Sequence, residues 1–291
     1  MAQQKIYLSK VRDFGENIGD TFQFIRQEFK PLFKSFALIS GVFIVGAAIL
    51  SGIYQSQMTS VFDRVEKQPG DLSIFSSIFN LNYFLIIILM MLGLAAMQVC
   101  VAAYMKLYDK NNESPTLEEV WSEFRRHIVP AIVLAIIALI LIVIGTMLCI
   151  LPGVYLAVVL APAITIMVNE DAGIGGSISR CFELIKENFW MSLAIYFVSY
   201  LIYSFVGGAI GFIVGIFTGV GSYLTTKEFS TTAGVFTSVA NVFGYCFYLV
   251  FVVSVCLNYY SLTEKLDGFG MMKRLDSLGT TNPNDKIEEQ Y

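Results

Sequence analysis

Charged residues are scarce in this sequence. They make up 14% of its 291 residues, whereas soluble globular proteins carry about 25%. Hydrophobic residues reach 56%, and they gather in runs long enough to cross a bilayer as helices. This composition excludes a soluble globular domain and predicts an integral membrane protein. The net charge of −4, without a basic patch, predicts no nucleic-acid partner.

Histidine and paired cysteines are also lacking. His127 is the single histidine, and the five cysteines form no CxxC pair. One histidine cannot build the usual iron or zinc site, and the odd, dispersed cysteines fit no disulfide framework. The glycine-rich stretch 172–177 lacks the lysine of a phosphate-binding loop. The sequence therefore predicts no catalytic, cofactor-binding or metal-binding residue, and no enzyme.

Long apolar segments dominate the rest of the chain. Six are present, at 35–54, 83–105, 128–148, 150–168, 191–221 and 237–261. At 1.5 Å per helical residue, each is long enough for a hydrocarbon core of about 30 Å. We therefore expect an all-α membrane protein with six transmembrane helices.

The distribution of lysine and arginine predicts the orientation of these helices. Of the 19 lysines and arginines, 16 fall on the side of the N-terminus and 3 on the opposite side. Because cytoplasmic loops are enriched in positive charge, both termini should be cytoplasmic. We expect a multi-pass membrane protein.

Three segments place Phe or Trp on one face of a helix just before a pair of spans. They are 14–29, 117–128 and 178–189, and in each of them apolar residues recur at offsets 0, 4, 7 and 11, counted from residues 18, 117 and 178. Basic residues lie off this face, the pattern of a helix that lies in the membrane interface. The residues expected to anchor there are Phe14, Phe22, Phe29, Trp121, Phe124, Phe182, Phe189 and Trp190.

The chain therefore divides into three regions. Residues 1–34 should contain an N-terminal amphipathic interfacial helix, 35–261 a six-span transmembrane domain, and 262–291 a cytoplasmic tail that is partly disordered. An interfacial helix before each pair of spans also suggests three repeated units. Ordinary amphipathicity is the alternative explanation of that pattern.

Glycine and proline mark two packing features. In "CILPGVY" (149–155), Pro152 and Gly153 predict a tight hairpin turn between two spans. In the fifth span, Gly207, Gly211, Gly215 and Gly219 form a smooth face with a glycine at every fourth position. Such a face lets another helix approach closely. Its partner could be the protein's own bundle or a homodimer, and a pore or substrate path is a third alternative.

The segment 151–193 carries a resemblance to a known family. It reads "LPGVYLAVVLAPAITIMVNEDAGIGGSISRCFELIKENFWMSL". This stretch resembles the membrane domain fused to some bacterial glycerophosphoryl diester phosphodiesterases. The resemblance implies a polytopic membrane module. It does not extend to the soluble catalytic barrel of those enzymes, for which this chain has neither the room nor the histidines.

These features favour a non-catalytic membrane scaffold or a lipid-interacting module. Its expected partners are the lipid bilayer, including anionic lipids, and a membrane protein partner or a second copy.

Ionisable groups are absent well inside the six segments, which disfavours an ion-coupled transporter. A passive transporter, channel or lipid-moving protein remains an alternative, and a cavity lined by Gln98, Asn241 or tyrosines would favour it. A membrane enzyme acting on lipid is the least favoured class, which Glu170 or Asp171 beside a metal would revive.

Overall fold

The computed structural model describes residues 5–67, 77–111, 113–224 and 229–268. Secondary structure in these ranges is entirely helical. The helices are α1 (Phe14–Gln27), α2 (Phe29–Ile39), α3 (Gly41–Lys67), α4 (Leu81–Asn111), α5 (Leu117–Leu148), α6 (Ile150–Leu160), α7 (Ala163–Glu170), α8 (Ile174–Lys186), α9 (Phe189–Leu224) and α10 (Phe229–Asp267).

Five to six helices are long and apolar enough to cross a membrane. Four of them are α4, α5, α9 and α10, and the stretch Ile150–Glu170, which comprises α6 and α7, is the fifth. The sixth is formed by α2 and α3 together, which meet at an angle of 59°. The structure is therefore that of a multi-pass membrane protein.

Side-chain hydrogen bonds cap the N-termini of α1 and α5. Asp13 accepts a hydrogen bond from the Glu16 amide at 2.7 Å, and the Glu16 side chain accepts one from the Asp13 amide. Thr116 and Glu119 form the same reciprocal pair ahead of α5. These capping boxes satisfy amides that the first helical turn leaves without partners.

The N-terminal region is more divided than the sequence predicts. A non-helical segment, 5–13, precedes α1, and a break at Glu28 separates α1 from α2. Pro31 lies in the first turn of α2, where proline is tolerated. Residues 1–4 of the predicted region lie outside the described residues.

The core is built around α4. Its segment from Ala95 to Met105 is buried apart from Gln98, which is half-buried. Alanines at 95, 96, 102 and 103 keep this segment narrow, so that α2, α3, α5, α7 and α10 can all pack against it. Close packing of small residues is how helices associate where lipid offers no hydrophobic driving force.

The predicted hairpin between the third and fourth spans is present, but its turn is formed differently. The extended residue is Cys149, which ends α5 and begins α6. Pro152 and Gly153 lie in the first turn of α6, and Gly153 does not have a positive φ. Its role is close approach, because a Cβ on Gly153 would lie 2.8 Å from the Thr146 Cα and 2.1 Å from its Oγ1.

Two further boundaries differ from the sequence prediction. The second predicted interfacial helix is not separate, since α5 continues without a break from Leu117 to Leu148. The C-terminal helix α10 extends beyond residue 261 to Asp267, with Ser261 and Leu262 buried. The predicted disorder of the last residues falls outside the described residues.

Replacing Gly153 with Ala tests the close contact between α5 and α6. The added methyl group would overlap the backbone of Thr146, and overpacking of this kind costs about 1–3 kcal/mol. We expect a lower midpoint of thermal unfolding for the purified protein in detergent. Gly211→Ala is the control, because a Cβ there meets no described atom within 4 Å. Equal midpoints for the two variants would contradict the assignment.

Candidate functional site

Charged side chains gather at one end of the helical bundle. At this end α4, α7 and α10 finish, and α5 and α8 begin. The clustering follows from the sequence, because the acidic and basic residues flank the apolar segments instead of interrupting them. We call this region the charged end.

Asp171 is the centre of one cluster at the charged end. It caps α7 in the left-handed conformation, with φ of 50°, which Asp tolerates better than most residues. The Lys106 ammonium donates to Asp171 Oδ2 at 2.9 Å and to the Val168 carbonyl at 2.7 Å. His127 Nε2 lies 3.0 Å from Asp171 Oδ1. One carboxylate thus joins α4, α5 and the end of α7.

Glu123 adds a second carboxylate to this cluster. Single ligand atoms of Glu123, His127 and Asp171 all lie within 4.8 Å of one another, and carboxylates and imidazole can bind cations. Lys106, however, lies 3.8 Å from Glu123 and 2.9 Å from Asp171, and Arg126 lies 3.6 Å from Asp171. Since two cationic side chains already neutralise these carboxylates, we describe the cluster as an ion-pair network and propose no metal there.

Arg180 is the centre of a second cluster. It donates to Glu183 at 2.7 Å and to Glu170 at 3.4 Å, and it pairs with Asp267. The Tyr259 hydroxyl also donates to Glu170. Partial burial tends to lower the pKa of Arg180, but the three carboxylates raise it overall. Arg180 therefore ties α8 to the ends of α7 and α10.

Two buried charges attach the N-terminal region to the same end. Glu28, at the break between α1 and α2, accepts hydrogen bonds from the Tyr104 hydroxyl and from Ser114, each at 2.6 Å. The Arg12 side chain pairs with Asp20 at 2.8 Å and donates to nearby backbone carbonyls, and the Arg12 backbone amide donates to Ser261 Oγ on α10 at 2.8 Å. Both side chains are satisfied, as buried charges must be. The segment before the first span is therefore fixed to the bundle.

The predicted anchoring residues divide into two groups. Six of them are exposed on the outer surface: Phe14, Phe22, Phe29, Trp121, Phe182 and Trp190. Phe124 is buried in the core, and Phe189 is partly buried against it. These last two side chains pack within the protein and do not face outward.

The orientation of α1 is unusual for a surface helix. Its buried side chains are Asn17, Thr21 and Phe24. Its exposed side chains include Phe14 and Phe22, which are 41% and 46% accessible. Asn17 and Thr21 thus face the protein, while Phe14 and Phe22 face outward. In water the opposite arrangement is favoured, because burial of apolar surface is the main stabilising term.

On the glycine face of α9, Gly207 and Gly211 have no close neighbour among the described residues. A Cβ built on Gly207, Gly211 or Gly215 would meet no atom within 4 Å. The surroundings of Gly219 lie outside the described residues. The described part of the bundle therefore gives no support for packing of this face within the protein's own fold.

A cavity of about 360 Å³ lies between α4, α5, α6, α7 and α10. Its lining is apolar except for Gln98 and Tyr248, whose side chains are hydrogen-bonded to each other. The volume falls within the range of about 300–1,000 Å³ typical of small-molecule sites. Asn241, the third polar residue considered from the sequence, has no described side chain.

No family model, curated protein or solved structure matches the chain. The resemblance of 151–193 to the phosphodiesterase membrane domain thus stays an expectation based on the residues alone.

Replacing Asp171 with Asn tests the first cluster. Burial tends to raise the pKa of Asp171, but the hydrogen bond and charge of Lys106, with help from His127 and Arg126, lower it overall from 3.8. The carboxylate therefore stabilises the fold above about pH 4, and this contribution is lost as the pH falls through the lower folded pKa. We expect Asp171→Asn to unfold at a lower temperature than the wild type at pH 7, with the difference vanishing in strong acid.

Glu187→Gln is the control for that experiment. Glu187 is an exposed carboxylate at the end of α8, so its neutralisation should leave the unfolding temperature nearly unchanged. An Asp171→Asn variant as stable as the wild type at pH 7 would show that the cluster does not hold α4, α5 and α7 together.

Proposed function

We propose that the protein is a non-catalytic, lipid-interacting module of the bacterial inner membrane. In this proposal the chain crosses the membrane six times, with the bent pair α2 and α3 as the first span. The charged end and both termini are cytoplasmic. The N-terminal part of α5 and the helices α1 and α8 lie at the interface between lipid headgroups and hydrocarbon.

The observation that carries the proposal is the outward orientation of aromatic residues at the charged end. On α1, Phe14 and Phe22 point away from the protein, while Asn17, Thr21 and Phe24 point inward. Trp121 near the start of α5 and Trp190 near the start of α9 are also exposed. Tryptophan and other aromatic rings are enriched at membrane interfaces, so a lipid surface accounts for exposed rings that water does not favour.

Exposed cations accompany these rings and favour anionic lipids. Arg26, Lys30, Arg125, Arg126 and Lys186 are all exposed. The guanidinium of Arg125 lies 6.0 Å from the centre of the Trp121 ring. Each basic side chain near an anionic bilayer surface contributes about 1 kcal/mol to its attraction. The charged end thus offers both apolar and electrostatic contacts to the cytoplasmic leaflet.

The ion-pair networks support a scaffold role. They connect α4, α5, α7, α8 and α10 at one end, so that the exposed side chains are held on a fixed frame. We place a membrane protein partner or a second copy at Gly207 and Gly211 of α9, because a Cβ at either position would meet no described atom within 4 Å.

The two natural tryptophans provide a direct test. They are the only tryptophans in the chain, and single-tryptophan variants report their depths separately. We expect lipids brominated near the headgroup to quench Trp121 and Trp190 more strongly than lipids brominated near the chain end. Phe22→Trp, in a background without the natural tryptophans, should behave in the same way and report on α1.

Phe197→Trp is the matched control for depth. Phe197 is exposed on α9, about 10 Å further along the helix than Trp190 at 1.5 Å per residue. It should be quenched more strongly by lipids brominated near the chain end. If Trp121, Trp190 and the Trp at position 22 respond as Phe197→Trp does, or are not quenched at all, the interfacial assignment is wrong.

Passive lipid movement is a second candidate, and the cavity is the observation that favours it. The cavity has the polar residues Gln98 and Tyr248 in its wall, as such a protein would need. The protein can be reconstituted in vesicles that contain a fluorescent phospholipid. If the protein moves lipids between the leaflets, a membrane-impermeant reductant should bleach more of the fluorescent phospholipid than the outer leaflet contains. Bleaching limited to the outer leaflet would exclude passive lipid movement and would leave only the scaffold role.

A further inference from the structure

The cavity lies at the depth of the lipid chains. On α5 its lining residues run from Leu134 to Ile142, which is about 10 to 22 Å from His127 at 1.5 Å per residue. On α10, Tyr248 lies about 16 Å from Tyr259 by the same measure. A hydrocarbon core is about 30 Å thick. The cavity is therefore well inside the bilayer when the charged end lies at its surface.

Small side chains create this space. Alanines occupy facing positions on the surrounding helices, among them Ala95 on α4, Ala135 and Ala138 on α5, and Ala157 on α6. Protein interiors are normally packed without voids of this size. An unfilled apolar cavity would deprive its walls of dispersion contacts, so an apolar occupant stabilises the folded bundle.

The wall also connects the cavity with the outer surface. Leu139 lines the cavity and is 45% exposed, so the space reaches the lipid-facing side of α5. The two polar groups of the wall, Gln98 and Tyr248, are hydrogen-bonded to each other. Their pairing lessens the penalty of placing an apolar chain beside them.

We propose that the cavity binds one alkyl chain of a bilayer phospholipid whose headgroup lies near the exposed Arg125 and Arg126. Along α5, Arg125 and Ala138 are separated by about 20 Å at 1.5 Å per residue, a distance that an extended alkyl chain can span. The lining is too apolar for an ion or a sugar, and it offers no charged group. This inference deepens the lipid-interacting role proposed above and rests on it.

The test uses the full-length protein and a phosphatidylglycerol probe with a diazirine in the distal part of one chain. After illumination, labelled peptides are identified by mass spectrometry. We expect saturable labelling of the α4 and α10 residues that line the cavity, and competition by unlabelled phosphatidylglycerol. Ala138→Phe should abolish this labelling by filling the cavity. Ala135→Leu is a smaller second variant, in case the phenylalanine impairs folding.

Ile140→Phe is the matched control. Ile140 lies on the same helix and is 51% exposed, but it does not line the cavity. A phenylalanine at that position should leave the saturable labelling unchanged. The unfolding temperature of each variant shows whether the bundle is intact.

Two results would overturn the inference. One is labelling that does not saturate, is spread evenly over lipid-facing positions and ignores Ala138→Phe. The other is an intact bundle, by its unfolding temperature, in which no residue that lines the cavity is labelled by the probe. Tryptophan quenching separates this failure from failure of the proposed function, because interfacial quenching would persist if the cavity alone were misassigned.

Discussion

The contact of Lys106 and His127 with Asp171 determines how the long helices meet. Charges cannot be left unpaired in hydrocarbon, so they collect where α4 and α7 end and α5 begins, and there they neutralise one another. The second network, around Arg180, adds α8 and α10 to the same frame. The spans themselves contribute close packing around α4. The charged end therefore aligns the helices, and the apolar contacts hold them together along their length.

This arrangement gives the two surfaces of α1 distinct roles. Its inner surface carries Asn17 and Thr21 against the bundle, and its outer surface carries Phe14 and Phe22. Glu28 then fixes the end of the helix to α4 through Tyr104. A rigid attachment matters for an interfacial helix, because a ring held at one depth contacts lipid without losing further conformational freedom. The same reasoning applies to Trp121, which begins a helix that continues across the bundle.

The membrane class and the main apolar helices could be predicted from the sequence because hydrophobic length is a local property. The segments 83–105 and 128–148 fall within α4 and α5. The site depends on contacts between distant positions, which local patterns do not specify. His127 and Asp171 are 44 residues apart. From the sequence alone, His127 is only a residue at the border of an apolar segment. Gly153 shows the same limit: its identity predicts a turn, whereas its function depends on the approach of Thr146.

The continuity of α5 couples the membrane surface to the interior of the bundle. This one helix carries Trp121 at the charged end, passes the cluster at His127 and supplies the cavity wall at Ala138. Ala138 lies about 16 Å from His127 along α5. A tilt of α5 by about 10° about His127 would displace the cavity wall at Ala138 by about 3 Å at this rise per residue. A helix longer than the hydrocarbon thickness accommodates the difference by tilting, so a change in bilayer thickness would change the width of the cavity.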